Sequence, residues 1–138
     1  MGDNSAVIER YRAAVESGDM VTMAAVLDDF AADDFMQEWP QSGERLGLEG
    51  SKRMFEQYQE STGASPTMQV RKIRSADDLA VIEGTIDYGD GVPVSYVGIA
   101  EFRDGKVRHV TEYFANPFEA PEWRKPFVEP SAAPGDVT

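Results

Sequence analysis

The stretch EFRDGKVRHVTEYFANPFEAPEW, residues 101–123, decides the fold because it holds the clearest hairpin signal in the chain. Asp104 and Gly105 both tolerate a positive φ, which a tight primed turn requires of its two central residues. The flanking segments, 93–103 and 106–115, are rich in β-branched and aromatic side chains, as strands are. The stretch therefore predicts a C-terminal β-hairpin followed by a proline-containing tail.

Helical patterns precede this hairpin and further strand patterns lead up to it. Apolar residues recur every three to four positions in the first part of the chain and alternate in the later part. The predicted order is a helix at 6–17, a second helix capped by Asp19, a strand at 33–40, a helix at 48–60, and strands at 68–74 and 79–88. Gly47 and Ser51 can each cap the third helix, and both alternatives stay open.

Composition excludes several classes of function. The chain has 138 residues, 41% of them hydrophobic, which suits one domain with its own core. A formal net charge of −12 repels phosphate backbones and anionic lipids, so we expect neither nucleic-acid nor membrane partners. With no cysteine and one histidine, His109, we expect no metal and no cofactor.

The N-terminal residues carry no basic start and no apolar run of the kind found in signal peptides. No apolar stretch approaches the roughly 20 residues that a membrane-spanning helix needs. We therefore expect a cytoplasmic protein.

Two segments resemble a known superfamily. YRAAVESGD, residues 11–19, resembles the first helix and loop of the nuclear-transport-factor-2-like proteins, which include ketosteroid isomerases, and residues 101–123 resemble the end of SnoaL-like proteins. The resemblance implies an α+β fold, with three N-terminal helices packed on a curved, cone-shaped antiparallel sheet around a central pocket. It also implies a homodimer. We expect one domain at residues 1–130 and a disordered tail at 131–138, because nothing in the last residues would pin them to the domain.

The same resemblance indicates that the chain lacks two catalytic groups of ketosteroid isomerases. Trp39 stands where ketosteroid isomerases carry their base, and Ala100 stands where they carry a protonated acid. Tyr11 does match the tyrosine that polarises the carbonyl group. Steroid isomerisation by that machinery is therefore disfavoured.

A second resemblance, to limonene-type epoxide hydrolases, places Asp87 and Glu112 at the two catalytic carboxylates. The arginine between them would be at Thr85 and is missing, which weakens this interpretation. Two carboxylates in an apolar cavity cannot both ionise cheaply, so one would be an acid beside a base. Tyr11 could then donate a hydrogen bond to a developing oxyanion.

Each of these residues also has a structural interpretation. Asp87 could be a polar residue at the end of a strand, Glu112 could face solvent, and Tyr11 could belong to the core. Alternation along the strands, anchored on the resemblance, predicts the residues that line the pocket. They are Phe35, Gln37, Trp39, Tyr96, Ala100, Phe102, Val110 and Phe114. His109 then lies on the opposite face, unless a one-residue slip turns it inward as a general base.

These patterns support one function and two alternatives. The first is a cofactor-independent acid–base enzyme, of the cyclase, isomerase, dehydratase or hydrolase type, with Glu112, Asp87 and Tyr11 as catalytic residues. Its substrate would be a hydrophobic, oxygen-bearing small molecule. The alternatives are a non-catalytic module that binds an apolar ligand and a structural dimer subunit.

Overall fold

A computed structural model of the chain describes residues 4–129, which form three helices, six strands and a short terminal 3-10 helix. The helices are α1 (Ser5–Ser17), α2 (Met20–Phe30) and α3 (Leu48–Thr62). The strands are β1 (Ala31–Trp39), β2 (Glu44–Gly47), β3 (Thr67–Ala76), β4 (Leu79–Asp87), β5 (Val94–Arg103) and β6 (Lys106–Ala115), and the 3-10 helix is Glu122–Phe127. The predicted α+β class and helix-first order are confirmed.

Local residue chemistry explains where the helices begin and end. α1 ends at Gly18, whose φ of 75° suits glycine, and Asp19 caps α2 by accepting hydrogen bonds from the N–H groups of Val21 and Thr22. Of the two predicted caps of α3, Gly47 occupies the position. Ser51 lies inside the helix, where its hydroxyl has another partner.

The strands form one curved, open sheet in the order β2-β1-β6-β5-β4-β3. β1 runs parallel to β6, whereas the other neighbouring strands are antiparallel. The predicted β5–β6 hairpin is present, with Asp104 at φ 54° and Gly105 at φ 77°. Sequence patterns did not predict β2 or the 3-10 helix, because segments this short carry too few residues for a period to show.

The two faces of the sheet differ in their surroundings. The inner face, which carries Gln37, Tyr96 and Glu112, packs toward the helices and forms the core with them. On the outer face, the ring of His109 contacts the carboxylates of Glu38 and Glu101 at 2.7 and 3.0 Å. His109 therefore faces away from the core, as alternation along β6 predicts.

The tail after β6 presents large apolar side chains to solvent. Phe118, Trp123 and Phe127 are 70, 72 and 80% exposed, so they do not pack on their own domain. The predicted disorder at residues 131–138 lies outside the described residues. Within residues 4–129, no helix has the length and apolar character that crossing a membrane demands.

Candidate functional site

A cavity of about 470 Å³ lies between the three helices and the inner face of the sheet. Its wall is mostly apolar and aromatic, with one cluster of polar groups. The lining side chains are those of Tyr11, Val15, Met20, Met23, Gln37, Trp39, Gln41, Ser42, Met54, Phe55, Tyr58, Pro66, Thr67, Met68, Ile86, Tyr88, Tyr96, Glu112 and Phe114. A site of this size and character is typical of pockets for small organic molecules.

Glu112 is the centre of the polar cluster and is only 9% exposed. Its Oε1 accepts hydrogen bonds from Gln37 Nε2 at 2.6 Å and from Trp39 Nε1 at 2.8 Å. Its Oε2 accepts one from the hydroxyl of Tyr96 at 2.5 Å. An indole or amide N–H can only donate, so Oε1 acts as an acceptor toward both Gln37 and Trp39. A carboxylate has about four acceptor positions, and the described residues fill three of them.

Ser51 fixes the orientation of Gln37. The serine lies in α3, fully buried, and its hydroxyl donates to Gln37 Oε1 at 2.9 Å. This bond directs the carbonyl end of the amide toward Ser51 and its NH₂ end toward Glu112. The helix thereby determines which group the carboxylate meets.

Tyr11 joins the cluster through Tyr96, whose hydroxyl lies 3.1 Å from its own. A phenol has one proton, and Tyr96 gives its proton to Glu112, so Tyr11 must donate to Tyr96. Burial, reinforced by the nearby charge of Glu112, raises the pKa of both phenols well above the ordinary value. Both therefore stay neutral, and their protons form a chain directed at the carboxylate.

Gly98 makes room for this chain. It faces Glu112 across the β5–β6 pair and lies two residues from Tyr96 on the same face. A Cβ at this position would lie 2.3 Å from the hydroxyl oxygen of Tyr96 and 2.9 Å from its Cζ. The tyrosine ring lies across the glycine, and that position is what lets its hydroxyl reach Glu112.

A family comparison agrees with this architecture. The SnoaL-like domain model matches residues 8–110, about three quarters of the chain. The chain belongs to the SnoaL-like family. A search of the curated proteins found no match.

Solved structures similar to this SnoaL-like protein include an NTF-2 like protein of unknown function from Burkholderia xenovorans LB400. It is 33% identical, the match covers 94% of this chain and 95% of that one, and the TM-score is 0.74. A proposed ketosteroid isomerase from Kribbella flavida DSM 17836 is 24% identical, with coverages of 94 and 90% and a TM-score of 0.76. An LEH-like epoxide hydrolase from M. tuberculosis is 20% identical, with coverages of 80 and 81% and a TM-score of 0.58.

In this SnoaL-like protein, half of the predicted lining residues reach the main cavity. They are Gln37, Trp39, Tyr96 and Phe114. The other four, Phe35, Ala100, Phe102 and Val110, line a narrower space of about 70 Å³, which Tyr11, Tyr96 and Glu112 also border. Alternation along the strands predicted the correct face of the sheet for all eight residues. It does not specify the position along the sheet, so it could not predict which of the two spaces each residue lines.

The predicted pairing of Asp87 with Glu112 is wrong. Asp87 is exposed at the end of β4 and shares its parity with the outer-face residues Glu83 and Thr85. Its carboxylate accepts hydrogen bonds from the N–H groups of Gly89 at 2.7 Å and Gly91 at 3.2 Å, which stabilise the following turn. The buried alternation of Ala80, Ile82 and Ile86 already indicated that the odd-numbered positions of β4 face outward.

Several site residues were not predicted as such. Ser51 was considered only as a helix cap, and Trp39 only as a wall, although its indole N–H binds Glu112. Tyr58 and Tyr88 were not assigned to the pocket, and both of them line it. No group of three or more His, Asp or Glu side chains in residues 4–129 has an arrangement suited to a metal ion.

Proposed function

We propose that this SnoaL-like protein is a general acid–base enzyme that acts on a hydrophobic, oxygen-bearing small molecule, with Glu112 as the group that accepts the proton. The observation that carries the proposal is a buried carboxylate in the wall of an apolar cavity, held by three donors. Cyclisation, isomerisation, dehydration and hydration of a carbonyl compound all need such a base. Relatives with this fold include a proposed ketosteroid isomerase and an epoxide hydrolase.

The three donors prepare Glu112 for this role. They hold the carboxylate in one orientation, so a bound substrate meets a fixed base rather than a mobile side chain. One acceptor position on Oε2 is left over by the described residues, and a proton from a C–H or O–H group of the substrate would go there. The proton would then return to another atom of the same molecule, which completes an isomerisation, or to a leaving hydroxyl group, which completes a dehydration.

The role that we propose for Tyr11 differs from the predicted one, in which it donates a hydrogen bond to an oxyanion. Its proton is directed at Tyr96, so in this arrangement it does not point to an oxyanion. We assign both tyrosines to positioning Glu112. Asp87, which lies outside the cavity, has no part in the proposed chemistry.

Hydrogen–deuterium exchange tests the proposal without knowledge of the natural substrate. Small cyclic ketones are incubated with the protein in D₂O, and the loss of the protons next to the carbonyl is followed by proton NMR. We expect the wild type to accelerate exchange of at least one ketone, and Glu112→Gln, which keeps the size of the side chain, to abolish the acceleration. Glu101→Gln, the same change on the outer face, is the matched control and should exchange like the wild type.

Exchange that persists at the wild-type rate in Glu112→Gln would contradict the role of Glu112. If the wild type accelerates exchange of no ketone while ketones raise its melting temperature, the protein binds without reacting. This second candidate, a binding module, is favoured by one observation. Among the described residues that line the cavity, Glu112 has no second carboxylate to share a proton.

The proposal includes a homodimer in which two copies meet through the outer face of the sheet. Val97 and Ile99 are only half-buried there and Tyr113 is 42% exposed, so a second copy packed on this face would bury apolar side chains. Sedimentation should show the mass of two chains for the wild type and of one chain for Ile99→Asp. A wild type that sediments as a single chain would refute the dimer.

A further inference from the structure

We propose that the cavity selects a cationic ligand, a hydrophobic molecule with a protonated amine that pairs with Glu112. The inference rests on the proposed function because it uses the same cavity and the same open position on Glu112 Oε2, so a bound amine would compete there with a substrate that gives its proton to Glu112. Binding specificity alone tests it, so it can fail while the acid–base chemistry stands.

The hydrogen bonds of the polar cluster all run toward Glu112. Gln37, Trp39 and Tyr96 all donate to Glu112, and Tyr11 donates to Tyr96. The protons of these indole and phenol groups are thus committed to the cluster. The polar cluster therefore offers a ligand hydrogen-bond acceptors, above all the remaining position on Glu112 Oε2. At this cluster, a ligand group that brings a donor is therefore matched, and one that brings only an acceptor is not.

The wall of the cavity gives Glu112 no cationic partner among the described residues. Among the described residues that line the cavity there is no lysine, arginine or histidine, so the buried carboxylate is compensated by neutral donors alone. Buried charges in proteins are usually paired, because neutral hydrogen bonds replace only part of the lost hydration. A ligand cation would supply the missing partner, whereas a ligand anion would place a second negative charge beside the first.

The wall of the cavity is also rich in aromatic rings. Trp39, Phe55, Tyr58, Tyr88 and Phe114 all line the same cavity. The faces of aromatic rings attract cations, more strongly where water is excluded. The formal net charge of −12 also raises the local concentration of cations around the protein and lowers that of anions.

The test compares three probes of similar size and different charge: benzylamine, benzyl alcohol and benzoate. Binding is measured by isothermal titration calorimetry at neutral pH, where benzylamine carries a proton. We expect the wild type to bind benzylamine about tenfold or more tightly than benzyl alcohol, as a charged hydrogen bond would give, and benzoate most weakly. In Glu112→Gln the preference for the amine should fall to near equality with the alcohol.

The matched control is Glu9→Gln, which removes one negative charge from the exposed surface of α1 and should keep the wild-type preference. The order of the three probes on the wild type tests the inference even if Glu112→Gln fails to fold. Equal binding of amine and alcohol, tighter binding of benzoate, or no binding of benzylamine at its solubility limit would overturn it. Ketone exchange that depends on Glu112 would still support the proposed function in each of those cases.

Discussion

Replacing Gly98 by alanine should dismantle the hydrogen-bond chain without touching any of its members. The added Cβ would lie 2.3 Å from the Tyr96 hydroxyl oxygen, 2.9 Å from Cζ and 3.1 Å from Cε2. Ordinary contact begins at 3.4 Å, so the oxygen must retreat by 3.4 − 2.3 = 1.1 Å. Tyr96 lines the cavity, so its ring can turn away from the new Cβ, and this movement carries its hydroxyl away from Glu112. A retreat of this size breaks the bond to Glu112.

The expected cost follows from the bonds involved. Loss of a hydrogen bond to a charged group costs about 1.5–3 kcal/mol. Replacing glycine by alanine within a strand returns about 0.5–1 kcal/mol, because the unfolded chain loses freedom. We therefore expect Gly98→Ala to lower the free energy of unfolding by about 0.5–2.5 kcal/mol. Urea unfolding followed by circular dichroism measures this change.

A double-mutant cycle with Tyr96→Phe tests the cause. In the Tyr96→Phe background the bond and the closest contact, with the hydroxyl oxygen, are both absent. Only the contacts of 2.9 Å with Cζ and 3.1 Å with Cε2 remain, and the gain of about 0.5–1 kcal/mol from replacing glycine offsets them. Gly98→Ala should then be close to neutral. An equal loss of stability in both backgrounds would refute the reasoning, and so would a stabilising effect of Gly98→Ala in the wild type.

Three further predictions concern other parts of the molecule. Ser51→Ala leaves the buried carbonyl oxygen of Gln37 without its donor and should cost about 1–3 kcal/mol in urea unfolding; a neutral effect would show that Gln37 keeps its orientation unaided. Asp87→Ala should lower the melting temperature through the loss of the bonds to Gly89 and Gly91, while thermal-shift responses to cavity ligands stay unchanged; altered responses would return Asp87 to the site. Burial raises the pKa of Tyr88 to about 12, whereas an unfolded phenol ionises near pH ~10. The unfolded state therefore releases its proton first, so stability that is fully present below pH ~10 should be lost as the pH rises toward about 12. An alkaline titration of phenolate absorbance checks this, and a Tyr88→Phe variant with an unchanged titration curve would contradict it.

The sequence predicted the fold where local chemistry and periodicity agreed. Asp104 and Gly105 could form only a narrow set of turns, and the alternation of Val110, Glu112 and Phe114 fixed which side of β6 faces the core. Within the candidate site, alternation predicted the inward direction of Glu112 because a mid-strand position tolerates small errors in the predicted ends of the strand.

The positions of the other site residues could not be predicted from the periodicity of apolar residues alone. Asp87 stands at the end of a strand, where the turn determines the direction of the carboxylate, and resemblance alone placed it inside. Ser51 fits the pattern of a helix cap, and only the packing of α3 on β1 shows that its hydroxyl meets Gln37. Gly98 is invisible to any hydrophobic pattern, since its contribution is the space that it leaves for Tyr96.

The contact between Trp39 and Glu112 gives the protein an optical probe of its own. The chain has two tryptophans, and Trp123 is 72% exposed, whereas the indole N–H of Trp39 lies 2.8 Å from the carboxylate. In a Trp123→Phe variant, all indole emission would come from a ring that touches both the cavity and its charged group. A molecule that displaces Glu112 would then change the wavelength of that emission, so occupancy could be followed without labels.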